Sequence, residues 1–148
     1  MLTTQQTAFR DRIVALARRI APLYGLDWRL MAAAAILESG WGDSVLARQT
    51  HNLFGITAPK PAHGEHVFWL HSPSGKRPFR QFADEQEACH AYGALVGRSS
   101  LYAAARNAAL DACIAQLAPV YCPEDPLYGL KITQIIDMMN TPTDKPTS

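Results

Sequence analysis

Apolar positions recur at helical spacing at both ends of the chain and lose that spacing in the middle. Phe9, Ile13, Leu16 and Ile20 fall three or four residues apart, with Arg10, Arg12, Arg18 and Arg19 on the opposite side. This predicts an amphipathic first helix, capped by Thr3 or Thr4 and ended by Pro22 and Gly25. Asp27 caps a second predicted helix, Trp28 to about Glu38. Its run Met31-Ala-Ala-Ala-Ala-Ile-Leu is apolar on every side, and such a helix belongs in the interior. From Asn52 to Phe82 prolines, glycines and histidines break the pattern. There, Val67-Phe-Trp-Leu and Pro78-Phe-Arg-Gln-Phe flank Ser72-Pro-Ser-Gly-Lys and predict a short β-hairpin turning at Gly75.

Helical spacing returns after Asp84, which caps a helix expected to run through Val96. Ser99 or Ser100 starts a short helix around Tyr102, and another covers about Leu110 to Leu117. Pro119 to Pro126 is expected to be a loop, and Leu127 to Met139 the last helix, with Ile132, Ile135, Ile136 and Met139 facing the core. Asp125 is placed to cap that helix across Pro126. The expectation is one α+β domain over 1–140, mostly α-helical with a small β-hairpin lobe, followed by a polar, frayed tail at 141–148.

Composition narrows the function classes. The 148 residues are 48% hydrophobic and 18% charged, which excludes a disordered chain. A net charge of +1 is no basic excess for binding nucleic acid, and no apolar run reaches the ~20 residues that span a bilayer. Cys89, Cys113 and Cys122 show neither a paired framework nor a zinc spacing. They are expected to be free thiols, with a Cys113–Cys122 bridge left open. The first residues lack the basic and then apolar pattern of a signal peptide. Synthesis in the cytosol is therefore expected, with any extracytoplasmic action depending on a delivery route.

Glu38 is the leading candidate for chemistry. A carboxyl group at the end of an apolar helix sits against hydrophobic surface, and burial raises its pKa toward what a general acid needs near neutral pH. Gly40 and Gly42 leave open space beside it, and Trp41 offers a flat face of the kind that sugar rings stack on. The alternative is a structural ion pair with Arg29 or Arg80.

The string Ala34-Ala-Ile-Leu-Glu-Ser-Gly-Trp-Gly-Asp-Ser-Val-Leu-Ala, followed by Asn52-Leu-Phe-Gly-Ile, resembles the glucosaminidase family of peptidoglycan hydrolases (family-73 glycoside hydrolases). The resemblance continues through Phe79-Arg-Gln-Phe, Tyr102, and Tyr121-Cys-Pro-Glu-Asp-Pro-Leu-Tyr-Gly-Leu-Lys-Ile, covering the chain from about Arg10 to Asn140. It implies a lysozyme-like fold whose hairpin borders the active-site groove. The implied activity is an endo-β-N-acetylglucosaminidase that cuts the β-1,4 bond between N-acetylglucosamine and N-acetylmuramic acid. It implies Glu38 as general acid, a place for Tyr121 near the reaction centre, and Asn52, Phe54 and Gly55 along the cleft. Muramidase or lytic transglycosylase action on the same fold, or an inactive wall-binding or assembly module, are the competing readings.

One departure from the family concerns the second carboxylate. Family members carry a Glu in the hairpin, where this chain has His71 within Trp69-Leu-His-Ser-Pro-Ser-Gly. Three readings stay open: Glu65 takes the role, His71 acts as base, or the substrate's own N-acetyl oxygen attacks the anomeric carbon. The chain also has one extra residue before Asp125 relative to the family's tyrosine string. Trp69 and Tyr92 read mainly as hairpin or core packing, with Trp69 retained as a candidate sugar contact. His63, His66 and His71, with Glu65 among them, are expected to be exposed imidazoles, and no metal or other cofactor is expected. The expected partner of a monomeric enzyme is the peptidoglycan glycan strand, reached through a secretion apparatus or after lysis. An immunity or inhibitor protein is a further candidate partner, while nucleic acid and membrane are not.

Overall fold

Thr3 opens the first helix with a reciprocal cap. Its hydroxyl accepts from the Gln6 N–H at 3.0 Å, and the Gln6 side chain accepts from the Thr3 N–H at 2.9 Å. The helix α1 (Thr4–Ile20) buries Phe9, Ile13, Ala17 and Ile20, and a single 3₁₀ turn (Ala21–Tyr24) leads into left-handed Gly25. In the computed structural model, residues 1–59, 64 and 66–139 are described. Asp27 caps α2 (Trp28–Ser39), where every side chain from Leu30 to Ile36 is buried. This helix is the axis of the molecule, packed between α1 and the last helix. Helices thus pack on α2 from two sides, and its alanines let these neighbours approach closely.

The string after Glu38 is a turn built by its own polar groups. The buried Ser39 hydroxyl donates to Ala35 O at 2.6 Å and accepts from the Gly42 N–H at 2.8 Å. Gly40, Trp41 and Gly42 all take positive φ, and Ser44 then caps α3 (Val45–Thr50) by accepting from the Ala47 N–H at 3.1 Å. The sequence pattern does not signal α3, whose six residues are too few to show a period.

The hairpin consists of β1 (Val67–Ser72) and β2 (Gly75–Arg80), paired antiparallel with Phe68 opposite Phe79 and Leu70 opposite Arg77. Its arms are longer and its turn tighter than the sequence suggests: Pro73 and Ser74 make the turn, and the Ser72 hydroxyl donates to Gly75 O at 2.9 Å. Asp84 then caps α4 (Glu85–Tyr92), accepting from the Glu87 N–H at 2.8 Å. The expected helix to Val96 is α-helical only to Tyr92 and continues as a π-helical turn, Gly93–Gly97. Tyr24 packs so close to Gly93 and Gly97 that a Cβ on either would lie within 2.6 Å of it.

Ser99 caps α5 (Ser100–Ala105). The next helix, α6 (Leu110–Tyr121), overruns the expected stop at Leu117 and carries Pro119 inside it. The hydrogen bond that proline cannot donate belongs to the carbonyl of Ala115, an exposed residue that water can serve. The connecting loop is correspondingly shorter. Asp125 accepts from the Leu127 N–H at 3.0 Å and from Lys131 Nζ at 2.7 Å, fixing the start of α7 (Tyr128–Met139). Ile132, Ile135 and Ile136 of α7 close the core over α2. Cys89, Cys113 and Cys122 are free thiols; the first two are buried, and burial pushes the Cys89 thiol up to about 12. Among the described residues, no helix is long and apolar enough to cross a membrane.

Candidate active site

Glu38 projects from the last turn of α2 into a groove of about 740 Å³. One wall is the hairpin, with Leu70, Arg77 and Phe79. The opposite wall comes from the π-helical turn and the α6–α7 connection, with Leu95, Tyr121, Glu124 and Tyr128. Phe54 and Gly55 lie along the groove between them, and the Phe54 ring stacks on Tyr92 with centroids 4.3 Å apart.

The Glu38 side chain is open to solvent in the groove, yet protein surrounds it closely enough to govern its protonation. Removal of water by its surroundings raises its pKa above the ordinary carboxylate value. The nearby Tyr128 hydroxyl favours the charged carboxylate and pulls the other way, while the negative charges of Glu124 and Asp125 raise it further. The expected alternative partners are occupied elsewhere. Arg29 pairs with Asp27 at 2.8 Å, and the Arg80 guanidinium lies over the Phe82 ring at 4.9 Å. No basic side chain among the described residues forms an ion pair with Glu38. Burial also lifts the Tyr128 and Tyr92 hydroxyls far above the ordinary phenol value, so both are neutral donors across the working pH range.

Asn52 explains how the loop is held. Its side-chain amide donates to Ile56 O and Arg80 O, both at 2.9 Å, and its carbonyl oxygen accepts from the N–H groups of Phe54 and Ile56. This buried side chain ties the loop to β2 and sets Phe54 and Gly55 against the groove. A Cβ on Gly55 would stand 3.9 Å from Glu38 Oε2, so the loop backbone faces the carboxylate.

Of the residues expected from sequence, Glu38, Phe54, Gly55, His71 and Tyr121 line one groove. Asn52 supports it from within, while Trp41 packs half-buried against the core and Trp69 stands 45% exposed outside the lining. Strand alternation sets the Cβ of His71 and Trp69 on the face opposite Leu70. Tyr121 is at the rim, its hydroxyl 3.1 Å from that of Ser99. Glu65 and His63 lie outside the described residues. Among the described residues, no group of three or more His, Cys, Asp or Glu side chains could hold a metal ion. Sequence reasoning missed Tyr128, Glu124 and Arg77. The signal for Tyr128 was present in the repeated tyrosine of Tyr121-Cys-Pro-Glu-Asp-Pro-Leu-Tyr, whereas Glu124 and Arg77 gain meaning only from the walls they share.

Comparison with known proteins gives the same picture. The glucosaminidase family model, described as mannosyl-glycoprotein endo-beta-N-acetylglucosaminidase, matches residues 14–141. The peptidoglycan hydrolase FlgJ of Escherichia coli strain K12 is 32% identical over 133 residues, covering 82% of this chain but 42% of its own length. A probable N-acetylmuramidase of Lactococcus lactis is also 32% identical, over 93% of this chain and 34% of its own length. The chain thus spans less than half the length of these relatives. The solved glycoside hydrolase domain of Salmonella typhimurium FlgJ superimposes with a TM-score of 0.73 at 30% identity, covering 90% of this chain and 87% of that domain. The shared architecture is the lysozyme-like, mostly helical α+β layout, and the described residues of this chain include one small hairpin.

Proposed function

The chain belongs to the glucosaminidase family, and from that premise we propose that it hydrolyses the β-1,4 bond between N-acetylglucosamine and N-acetylmuramic acid in peptidoglycan. Glu38 is the general acid. The observation that carries this reading is the Glu38 carboxyl group, delivered by a buried helix to a groove of about 740 Å³ whose walls raise its pKa. As the glycosidic bond lengthens, the proton of Glu38 passes to the departing oxygen, which leaves as a hydroxyl rather than an alkoxide. The Tyr128 hydroxyl steadies the carboxylate that remains. Phe54 and Tyr92 give the groove an apolar surface for a sugar face, and Arg77 is a cation on the wall opposite the acidic groups.

Purified peptidoglycan digested with the protein, then reduced and analysed by mass spectrometry, tests the bond choice. A glucosaminidase leaves N-acetylglucosaminitol at the new ends. N-acetylmuramitol would instead establish muramidase action, the reading that the named Lactococcus relative favours. Glu38→Gln should lower the rate of clearing at least about 100-fold while the protein stays folded, the usual scale for loss of a general acid. Equal clearing by variant and wild type would overturn the assignment.

A further inference from the structure

The groove holds an uneven distribution of charge. Among the described residues that line it, Glu38 and Glu124 are the only carboxyl groups. The hairpin wall from Val67 to Arg80 contains no Asp or Glu and presents Arg77 and His71 instead. Asp125, next along the chain, is committed to Leu127 N–H and Lys131 and does not line the groove. Glu124, by contrast, is exposed and forms no ion pair with a described basic side chain. It sits in the connection between α6 and α7, the segment that carries the extra residue before Asp125.

Resting on the reading of Glu38 as general acid, we propose that Glu124 is the second catalytic carboxylate, the base that activates the attacking water. Its placement suits that task. The two side chains come from different elements, Glu38 from the end of α2 and Glu124 from the loop before α7, and both line the same groove. The open position of Glu124 gives water access, which a base needs and a buried carboxylate lacks. Its negative charge also helps keep the proton on Glu38. His71 also lines the groove, but its Cβ springs from the strand face opposite Leu70 and Arg77, which makes it the less direct candidate.

Glu124 removes one proton from water, whose oxygen forms the new bond to the anomeric carbon. The bond from that carbon to the glycosidic oxygen breaks, its electron pair stays on that oxygen, and Glu38 supplies the proton. Glu124 ends protonated and Glu38 ionised, and exchange with solvent restores both. Attack by water on the face opposite the leaving group inverts the anomeric configuration.

Glu124→Gln, Glu65→Gln, His71→Gln and Glu38→Gln are assayed in parallel on purified peptidoglycan, with and without sodium azide, after thermal melts confirm folding. Glu124→Gln should reduce kcat at least about 100-fold with little change in KM, the scale expected for a lost base. Azide should restore turnover in that variant and yield an α-glycosyl azide, an outcome that a merely structural residue does not produce. The wild type should release the α anomer first, seen by NMR on a short glycan. Activity of Glu124→Gln within about threefold of wild type would overturn the proposal, as would a β anomer formed first. Azide rescue confined to Glu65→Gln or His71→Gln would also overturn it. If Glu38→Gln is inactive while Glu124→Gln is not, this inference fails alone; if Glu38→Gln is active, both fail.

Discussion

The general-acid role proposed for Glu38 makes two demands of it: to hold a proton until the sugar arrives and to release it during the reaction. Loss of water around the carboxyl group meets the first, and Tyr128 tempers it. The sign of each influence makes a prediction. Removing the Tyr128 hydroxyl removes the one interaction that favours the charged form, so Tyr128→Phe should move the basic limb of the pH–rate profile to higher pH. A limb that stays in place, or moves down, would show that Tyr128 does not act through Glu38. Stability should follow the same sign. Because the folded pKa of Glu38 lies above its unfolded value, its favourable contribution is complete below the unfolded pKa, near about 4.3, and is lost as pH rises through the folded value. Glu38→Gln, neutral at every pH, should therefore melt at a higher temperature than wild type at pH 7. That advantage should vanish in thermal melts run near pH 3.5, roughly one unit below the unfolded carboxylate value. A site that gains stability when its acid is removed is one held for function.

At the scale of elements, the turn between α2 and α3 is what fixes where Glu38 points. Gly40 and Gly42 both adopt positive φ, but their surroundings differ. A Cβ at Gly40 meets nothing within 4 Å, whereas one at Gly42 would stand 2.5 Å from the Phe9 ring. Gly40→Ala should cost about 1–2 kcal/mol, the strain of a left-handed residue alone. Gly42→Ala adds displacement of a core aromatic and should cost about 1–3 kcal/mol more, measured by chemical denaturation. Equal losses would mean that Phe9 gives way freely. The other end of α2 depends on Asp27: burial pushes its pKa up, and hydrogen bonds from the Arg29 side chain and backbone more than reverse this. Capped ends like this one were readable in the sequence, as Asp84 and Ser99 also show. Elements governed by distant packing were not readable. The π-helical turn exists where Tyr24, far away in sequence, leaves no room for side chains at Gly93 and Gly97. Pro119 likewise signalled a stop that an exposed carbonyl made unnecessary.

For the whole molecule, the groove is where segments far apart in sequence meet, and that decides how much of it the sequence could reveal. Glu38, Phe54 and Gly55 stand in strings whose residue types are dictated locally, by a helix end and by an Asn52-held loop. Arg77 and Glu124 sit in ordinary hairpin and loop sequence and acquire a role only when β2 and the α6–α7 connection face each other across the groove. The resulting polarity is internal, with carboxyl groups toward the helices and Arg77 on the hairpin, while the chain as a whole carries a net charge of +1. So small a charge supplies little long-range attraction to an anionic wall, and under the proposed function the described domain would hold its substrate through contacts inside the groove. Those contacts are short-ranged and partly shielded from ions, while attraction over more than a Debye length, about 10 Å at 0.1 M salt, is screened away. The rate of peptidoglycan clearing at low substrate should therefore change less than about twofold between 0.05 and 0.3 M sodium chloride. Arg77→Gln should lower that rate at every salt concentration, because it removes a groove contact and not a steering field. A steep fall with salt in the wild type would instead place wall capture on the protein's exterior, and turbidity assays across the salt series measure the difference directly.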